Sequence, residues 1–244
     1  MLTHPTLDKL TALKLSGMAA AFSEQLAIPD MLELPFEERL GLLVDREATD
    51  RDNRRLKTVL KKASLRLSAT VEDINFRHPR GLDKALIAAL ASCQWVQTHD
   101  NVLITGKTGT GKTYLACALA HKACREGFTA QYVRLPRFLP ELTLARNDGR
   151  YSKILAALAR VDVLILDDLH RVAMNDNHRH DLLEIVDDRH GRRSTVVTSQ
   201  FGPDDWHAAI GDPTLADAIL DRLLHNAYRI PLDGESIRKV NGKG

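Results

Sequence analysis

Cysteine is scarce in this 244-residue chain. Cys93, Cys117 and Cys124 are odd in number and lack metal-ligand spacing, which excludes a closed disulfide framework and a cysteine zinc site. Cys117 and Cys124 fall on the apolar side of a helical pattern, so reduced structural thiols are expected. Long apolar runs are missing as well. No window reaches the roughly 18 residues of a membrane helix, and the opening Met1-Leu2-Thr3-His4-Pro5 has neither the basic nor the apolar part of a signal peptide. The expectation is a soluble cytoplasmic protein with no membrane partner. No low-complexity tract occurs, and a net charge of +2 is too small to single out a charged partner. What remains is a globular composition, long enough for one α/β domain of ordinary size with a smaller appendage.

The most informative stretch runs from Asn101 to Thr113, where a short apolar β-type run breaks into glycines and then opens a helical pattern. Gly106, Lys107, Thr108, Gly109, Thr110, Gly111, Lys112 and Thr113 fit G-x-x-x-x-G-K-[ST], a loop whose backbone N–H groups converge on phosphates at a helix N-terminus. Lys112 is placed to reach the β- and γ-phosphates and Thr113 to hold Mg²⁺. A Gly/Thr-rich hairpin turn is the alternative, but alternating strand residues should then follow. YLACALAHKACR, beginning at Tyr114, reads as helix instead, and Tyr114 joins the ATP-binding set.

Such a loop needs a second strand that ends in an acid for the metal, and Val161-Asp162-Val163-Leu164-Ile165-Leu166-Asp167-Asp168 supplies it. Asp167 is the expected metal ligand, and Asp168 is placed to orient or deprotonate the attacking water. Further strands are expected near residues 131, 196 and 228. With those near 102 and 163 they give five parallel strands with right-handed crossovers, separated by helices. Ser194 to Gln200 is β-branched and apolar, then abruptly polar, which delivers Gln200 to the same sheet edge as a sensor of the γ-phosphate or of water. Residues 82–96 read as one helix with Trp95 in the core, and the strand near 131 is followed by a helix carrying Arg137, Arg146, Arg150 and Lys153. His170, His178 and His180 lack a matching ligand set, so polar loop and helix start are expected there.

Residues 1–68 show helical periodicity throughout. Leu7, Leu10, Leu13 and Leu15 open one amphipathic stretch that Gly17 weakens, Pro29 and Pro35 mark a turn, and a longer helix starts at Phe36. Charge is split here: residues 1–50 hold four Lys/Arg against nine Asp/Glu, while residues 51–70 hold Arg51, Arg54, Arg55, Lys57, Lys61, Lys62 and Arg66 against Asp52 alone. Such a basic helix is either a solvated face or a duplex-facing surface that displaces condensed counterions. No aromatic residue interleaves with these cations, which argues against single-strand stacking. Arg54, Arg55, Lys57, Lys61, Lys62, Arg137 and Arg150 are therefore the DNA-binding candidates. Residues 69–81 form a hinge into the second domain, 69–244, where Ile74, Phe76 and Arg77 are candidates for lining the adenine.

GKTGTGKT, LILDD, VVTSQ and GDPTLADAILDRLLHNAYRI, with the opening THPTLDKL and the run FEERLGLLVDRE, resemble the AAA+ ATPases of the DnaA/DnaC branch. Within that branch they are similar to the IstB-like transposition helper ATPases of bacterial insertion sequences, over essentially the whole chain. The resemblance implies a small all-helical N-terminal domain and an α/β AAA+ P-loop core with sheet order 5-1-4-3-2. It also implies ATP-driven homo-oligomer assembly on double-stranded DNA, with recruitment and stimulation of a partner transposase. By the same resemblance Gln200 is the sensor, and Arg222 acts in trans as an arginine finger on a neighbour's ATP. Two departures stand out. Leu169-His170 replaces the Trp-Gly common after the paired acids. Too little chain follows the last strand for a helical lid, so the lid is absent or vestigial and Arg238 is the candidate to replace its arginine. A DnaC-like replicative helicase loader, which favours single strands, is the nearest alternative. A small-metabolite kinase and a nucleotide-gated interaction module are the more distant ones.

Overall fold

The computed structural model describes residues 4–169 and 174–237. Its chain divides into two compact units, Met1–Thr58 and Val59–Gly244. In the first, α1 (Pro5–Ala12) starts with proline at its first position, where the missing N–H costs nothing, and the His4 ring accepts from Thr6 N at 3.3 Å. The expected single amphipathic stretch is two helices, because Lys14 takes a left-handed conformation (φ 60°) and α2 (Ser16–Ala27) begins afresh. Gly17 therefore lies in the first turn of α2 and does not weaken a continuous helix. The start of α2 lacks its own side-chain cap. Glu47, from α3 (Phe36–Ala63), replaces it by accepting from Gly17 N at 2.8 Å and Met18 N at 3.2 Å, an anion placed at the positive end of a helix.

The second unit is built on a five-stranded parallel sheet. Two short helices, α4 (Lys84–Ala91) and α5 (Gln94–Gln97), lead into β1 (Asn101–Gly106). They replace the single helix expected over 82–96, because Cys93 adopts φ 60° between them; Trp95 is in the core at 1% exposure. Then follow α6 (Lys112–Arg125), β2 (Ala130–Arg134), α7 (Leu135–Asn147), α8 (Tyr151–Arg160) and β3 (Val163–Asp167). The chain continues through α9 (Asp176–Arg189), β4 (Ser194–Ser199), α10 (Trp206–Ile210), α11 (Pro213–Leu224) and β5 (Ala227–Leu232). Where one helix was expected after β2 there are two, separated at Asp148-Gly149-Arg150.

The strand order is β2-β3-β4-β1-β5, the expected 5-1-4-3-2 order read from the other edge. β3 and β4 are buried along their whole length, as β-branched and leucine-rich central strands should be when helices cover both faces. One set of alternate strand residues, including Leu103, Leu164, Leu166 and Val197, packs against apolar residues of α7, α8, α9 and α11. α6 carries the other large buried set, Leu115 to Ala120 with Ala123 and Cys124, and contacts β1 to β4. The three cysteines are free and buried. Burial raises the Cys124 pKa to about 11, so it stays an unreactive thiol at neutral pH. No described helix is long and apolar enough to cross a membrane.

Candidate nucleotide-binding site

A parallel sheet delivers the ends of its strands to one edge, and here β1 and β3 end on either side of β4. β1 ends at Gly106, whose φ of 141° only glycine adopts readily; a Cβ there would stand 2.1 Å from the Leu232 carbonyl oxygen of β5. The loop then turns and opens α6 at Lys112, with Gly111 at the N-cap in a left-handed conformation (φ 95°). Lys112 is only 9% exposed, and its Nζ donates to the carbonyls of Gly106 at 2.5 Å and Lys107 at 2.9 Å. Thr110 is buried and its hydroxyl closes the loop onto Lys107 O at 2.9 Å, while Lys107 points out to Asp233 at 3.4 Å.

Thr113 Oγ1 donates to Asp167 Oδ1 at 2.9 Å, although 54 residues separate them. Asp167 is fully buried and also accepts from Thr198 Oγ1 at 2.5 Å and from the Tyr132 hydroxyl, with Arg66 Nη1 at 3.4 Å from its second oxygen. Burial, and after it the Asp167 carboxylate, raises the Tyr132 pKa, so this phenol remains a donor. A hydroxyl and a carboxylate oxygen in contact at a strand end are the hard ligands Mg²⁺ takes, so the donor set fits that ion. Asp168 has a left-handed backbone (φ 65°). Its N–H donates to Thr198 Oγ1 at 3.2 Å and its carboxylate pairs with Arg134 Nε at 2.9 Å.

A cavity of about 440 Å³ opens over these groups. Thr108, Gly109, Gly111, Lys112, Thr113, Tyr114 and Asp168 line it, so most of the expected ATP-binding residues meet in one place. Part of its wall comes from the expected hinge segment, through Asp73, Asn75 and Arg80. Ile74, Phe76 and Arg77, the expected adenine-lining residues, are absent from that wall, and Ile74 is buried at 5% exposure. Gln200 follows β4 in a bend held by the Trp206 indole, which donates to Ser199 Oγ and Phe201 O, each at 3.0 Å; it does not line the cavity. Arg222 lies elsewhere, paired with Asp187 at 2.5 Å beside a separate open cleft that also includes His180 and Glu184. Arg238 and His170 lie outside the described residues.

The proposed DNA-binding cations fall into different settings. Arg54 shares Glu47 with Arg51, at 3.3 Å and 2.7 Å, so part of the basic stripe steadies the α2 cap. Lys57, Lys61, Lys62 and Arg137 are exposed, as is Arg55, and Arg150 pairs locally with Asp148 at 2.6 Å. Arg146, also expected on that helix, binds the buried Asp181 and lies over the Tyr151 ring at 3.8 Å. Arg66 was also counted in the basic stripe, whereas its guanidinium reaches the buried Asp167. The sequence reading missed Arg134 and Thr198. Both sit at the same sheet edge, with Arg134 in register beside Asp167, and that position is the signal that could have found them.

Comparison with known proteins agrees with this geometry. The family described as IstB-like ATP binding protein matches residues 8–243. An insertion sequence ATP-binding protein of Sinorhizobium fredii is 52% identical over 239 residues, covering 98% of each chain. The ATP-binding protein of insertion sequence IS21 from Pseudomonas aeruginosa is 32% identical over 94% of this chain and 86% of its own. Among solved structures, DnaI aligns with a TM-score of 0.58 at 24% identity, over 68% of this chain and 91% of that one. The DnaC helicase loader aligns at 0.55 with 18% identity, over 66% and 96%. These likenesses carry the fold alone. A family match along nearly the whole chain, with relatives of the same length at half identity, shows that this chain belongs to the IstB-like ATP-binding proteins and is an ATPase.

Proposed function

We propose that this protein is the ATP-dependent helper of a transposition system. In this reading it assembles as a homo-oligomer on double-stranded target DNA in the cytoplasm, recruits and stimulates a partner transposase, and uses ATP hydrolysis to disassemble. The observation that carries this reading is the 52% identity, over 98% of both chains, with an insertion sequence ATP-binding protein. Residues 1–68 are then the DNA- and partner-binding part, with Arg54, Arg55, Lys57, Lys61 and Lys62 as contacts, and Arg137 and Arg150 as contacts on the ATPase part, 69–244. Phosphate contacts of this kind give affinity without reading sequence.

In the ATP site, Lys112 and the loop N–H groups from Gly106 to Tyr114 bind the phosphates. Thr113 and Asp167 would hold Mg²⁺, which when bound neutralises charge on the β- and γ-phosphates. Asp168 orients the attacking water after its carboxylate leaves Arg134, and Gln200 senses the γ-phosphate. Arg222 completes the charge cage of a neighbour's ATP, a role compatible with its absence from its own cavity wall; Arg238 stands in for a lid arginine. Asp168→Asn, assayed with radiolabelled ATP, is expected to keep nucleotide affinity within about threefold and lose at least about 100-fold in turnover. Unchanged hydrolysis would remove Asp168 from this role. Mixing Arg222→Ala with Lys112→Ala subunits is expected to restore part of the activity that either lacks alone, since a mixed interface pairs an intact loop with an intact finger. No recovery at any mixing ratio counts against action in trans.

The DnaC likeness keeps one second reading in view, a replicative helicase loader. Competition between duplex and single-stranded DNA separates the two: the transposition reading requires duplex to win.

A further inference from the structure

Arg80 and Arg189 are the two buried arginines among the described residues, at 3% and 1% exposure, and they are treated very differently. Arg189 has five oxygen acceptors within 3.5 Å. Arg80 has two, Thr110 O at 2.8 Å and Asn75 O at 3.3 Å, and its buried Nε has no partner. No described carboxylate lies within ion-pair distance of it; Asp73 shares the cavity wall but stands further off. Burial accordingly lowers its pKa from the ordinary guanidinium value, with Tyr114 opposing weakly.

Location gives this charge a use. Arg80 lines the nucleotide cavity, and its Nη1 would lie 2.4 Å from a Cβ at Gly111, the residue that caps the N-terminus of α6. The guanidinium therefore packs closely against the glycine that caps α6, and it holds the Thr110 carbonyl by hydrogen bond. A buried cation without a counter-ion destabilises the protein that contains it, and an anion brought close removes that penalty. The polyphosphate is the anion that the loop selects.

We propose that Arg80 is a positioning residue for ATP: its unpaired charge, acting through the loop and the end of α6, is matched by the phosphates, so affinity rises with phosphate number. This rests on the ATP-binding reading and is independent of DNA or transposase.

The test is equilibrium binding of ATP, ADP and AMP to the full-length protein, with thermal unfolding of the ligand-free form. Arg80→Gln keeps a donor for Thr110 O and removes the charge. Its affinity should fall about 30-fold for ATP, about tenfold for ADP and less than about threefold for AMP, while the ligand-free protein unfolds at the same or a higher temperature. Arg80→Lys keeps the charge and should bind ATP within about fivefold of wild type with the gradient intact. Equal losses for the three nucleotides, or no loss, overturn the proposal. So does an Arg80→Lys protein with a flattened gradient, which decides the matter even where Arg80→Gln does not fold. Lys112→Ala separates the two levels: if wild type binds no nucleotide the ATP reading itself fails, whereas if only Lys112→Ala loses binding, an unaffected Arg80→Gln sinks this inference alone.

Discussion

Replacing Lys112 by alanine is expected to abolish ATP turnover in a protein that remains folded. The ammonium is almost buried beneath the loop and rests on the carbonyls of Gly106 and Lys107, so in the proposed ATP site it is held next to the phosphate loop before nucleotide arrives. In a site of low effective dielectric, one such charge contributes several kcal/mol more to the transition state than it would in water. Turnover should fall at least about 1000-fold and ATP affinity at least about 30-fold. The loop's other restraints survive the substitution: Arg80 and the Thr110 hydroxyl hold it from below, and Ile237 N donates to Gly109 O at 2.9 Å. Thermal stability should therefore change by no more than about 1 kcal/mol. Hydrolysis within threefold of wild type would show that this loop is not the phosphate site.

The second large effect lies at the opposite edge of the sheet. Arg189 ends α9 and donates to Leu158 O at 2.5 Å, Val161 O at 2.9 Å and Ser194 O, with Thr195 Oγ1 at 3.2 Å, so one side chain joins the end of α8 to the entries of β3 and β4. Burial pushes its pKa down to about 9, which still leaves it charged at neutral pH. Methionine fills much the same volume and removes the guanidinium donors from all of these oxygens. Each buried acceptor left unsatisfied costs about 1–3 kcal/mol, and loss of the whole set should destabilise the ATPase unit by about 3–5 kcal/mol. Urea unfolding of Arg189→Met measures this. A midpoint equal to wild type would mean that water replaces the guanidinium without loss. ATP affinity of the folded fraction should be unaffected, because the phosphate loop is at the other end of the strands.

These two residues also show what the sequence could convey. That Lys112, Thr113 and Asp167 meet at one sheet edge was legible because the motifs fix their spacing next to recognisable strands, and the strand order followed from the resemblance that the same motifs carry. The helix breaks at Lys14 and Cys93 were not legible: both residues take left-handed backbones without being glycine, and neighbouring periodicity runs straight past them. The partners of Arg66 and Arg146 were not legible, because a charge on a helical wheel reveals nothing of an acid far along the chain. Asp167 and Asp181 are buried and draw them in. Arg189 carried no local signal at all, since its acceptors are main-chain carbonyls, which every sequence possesses.

The central claim is that one ATP is held between two copies of this chain, so that nucleotide binding and clustering along duplex DNA are a single event. Electron microscopy of the full-length protein with duplex DNA, with and without a non-hydrolysable ATP analogue, tests it most directly. Regular multi-subunit assemblies on the duplex only when the analogue is present are the predicted result. Particles that remain single and off the DNA under both conditions would contradict it.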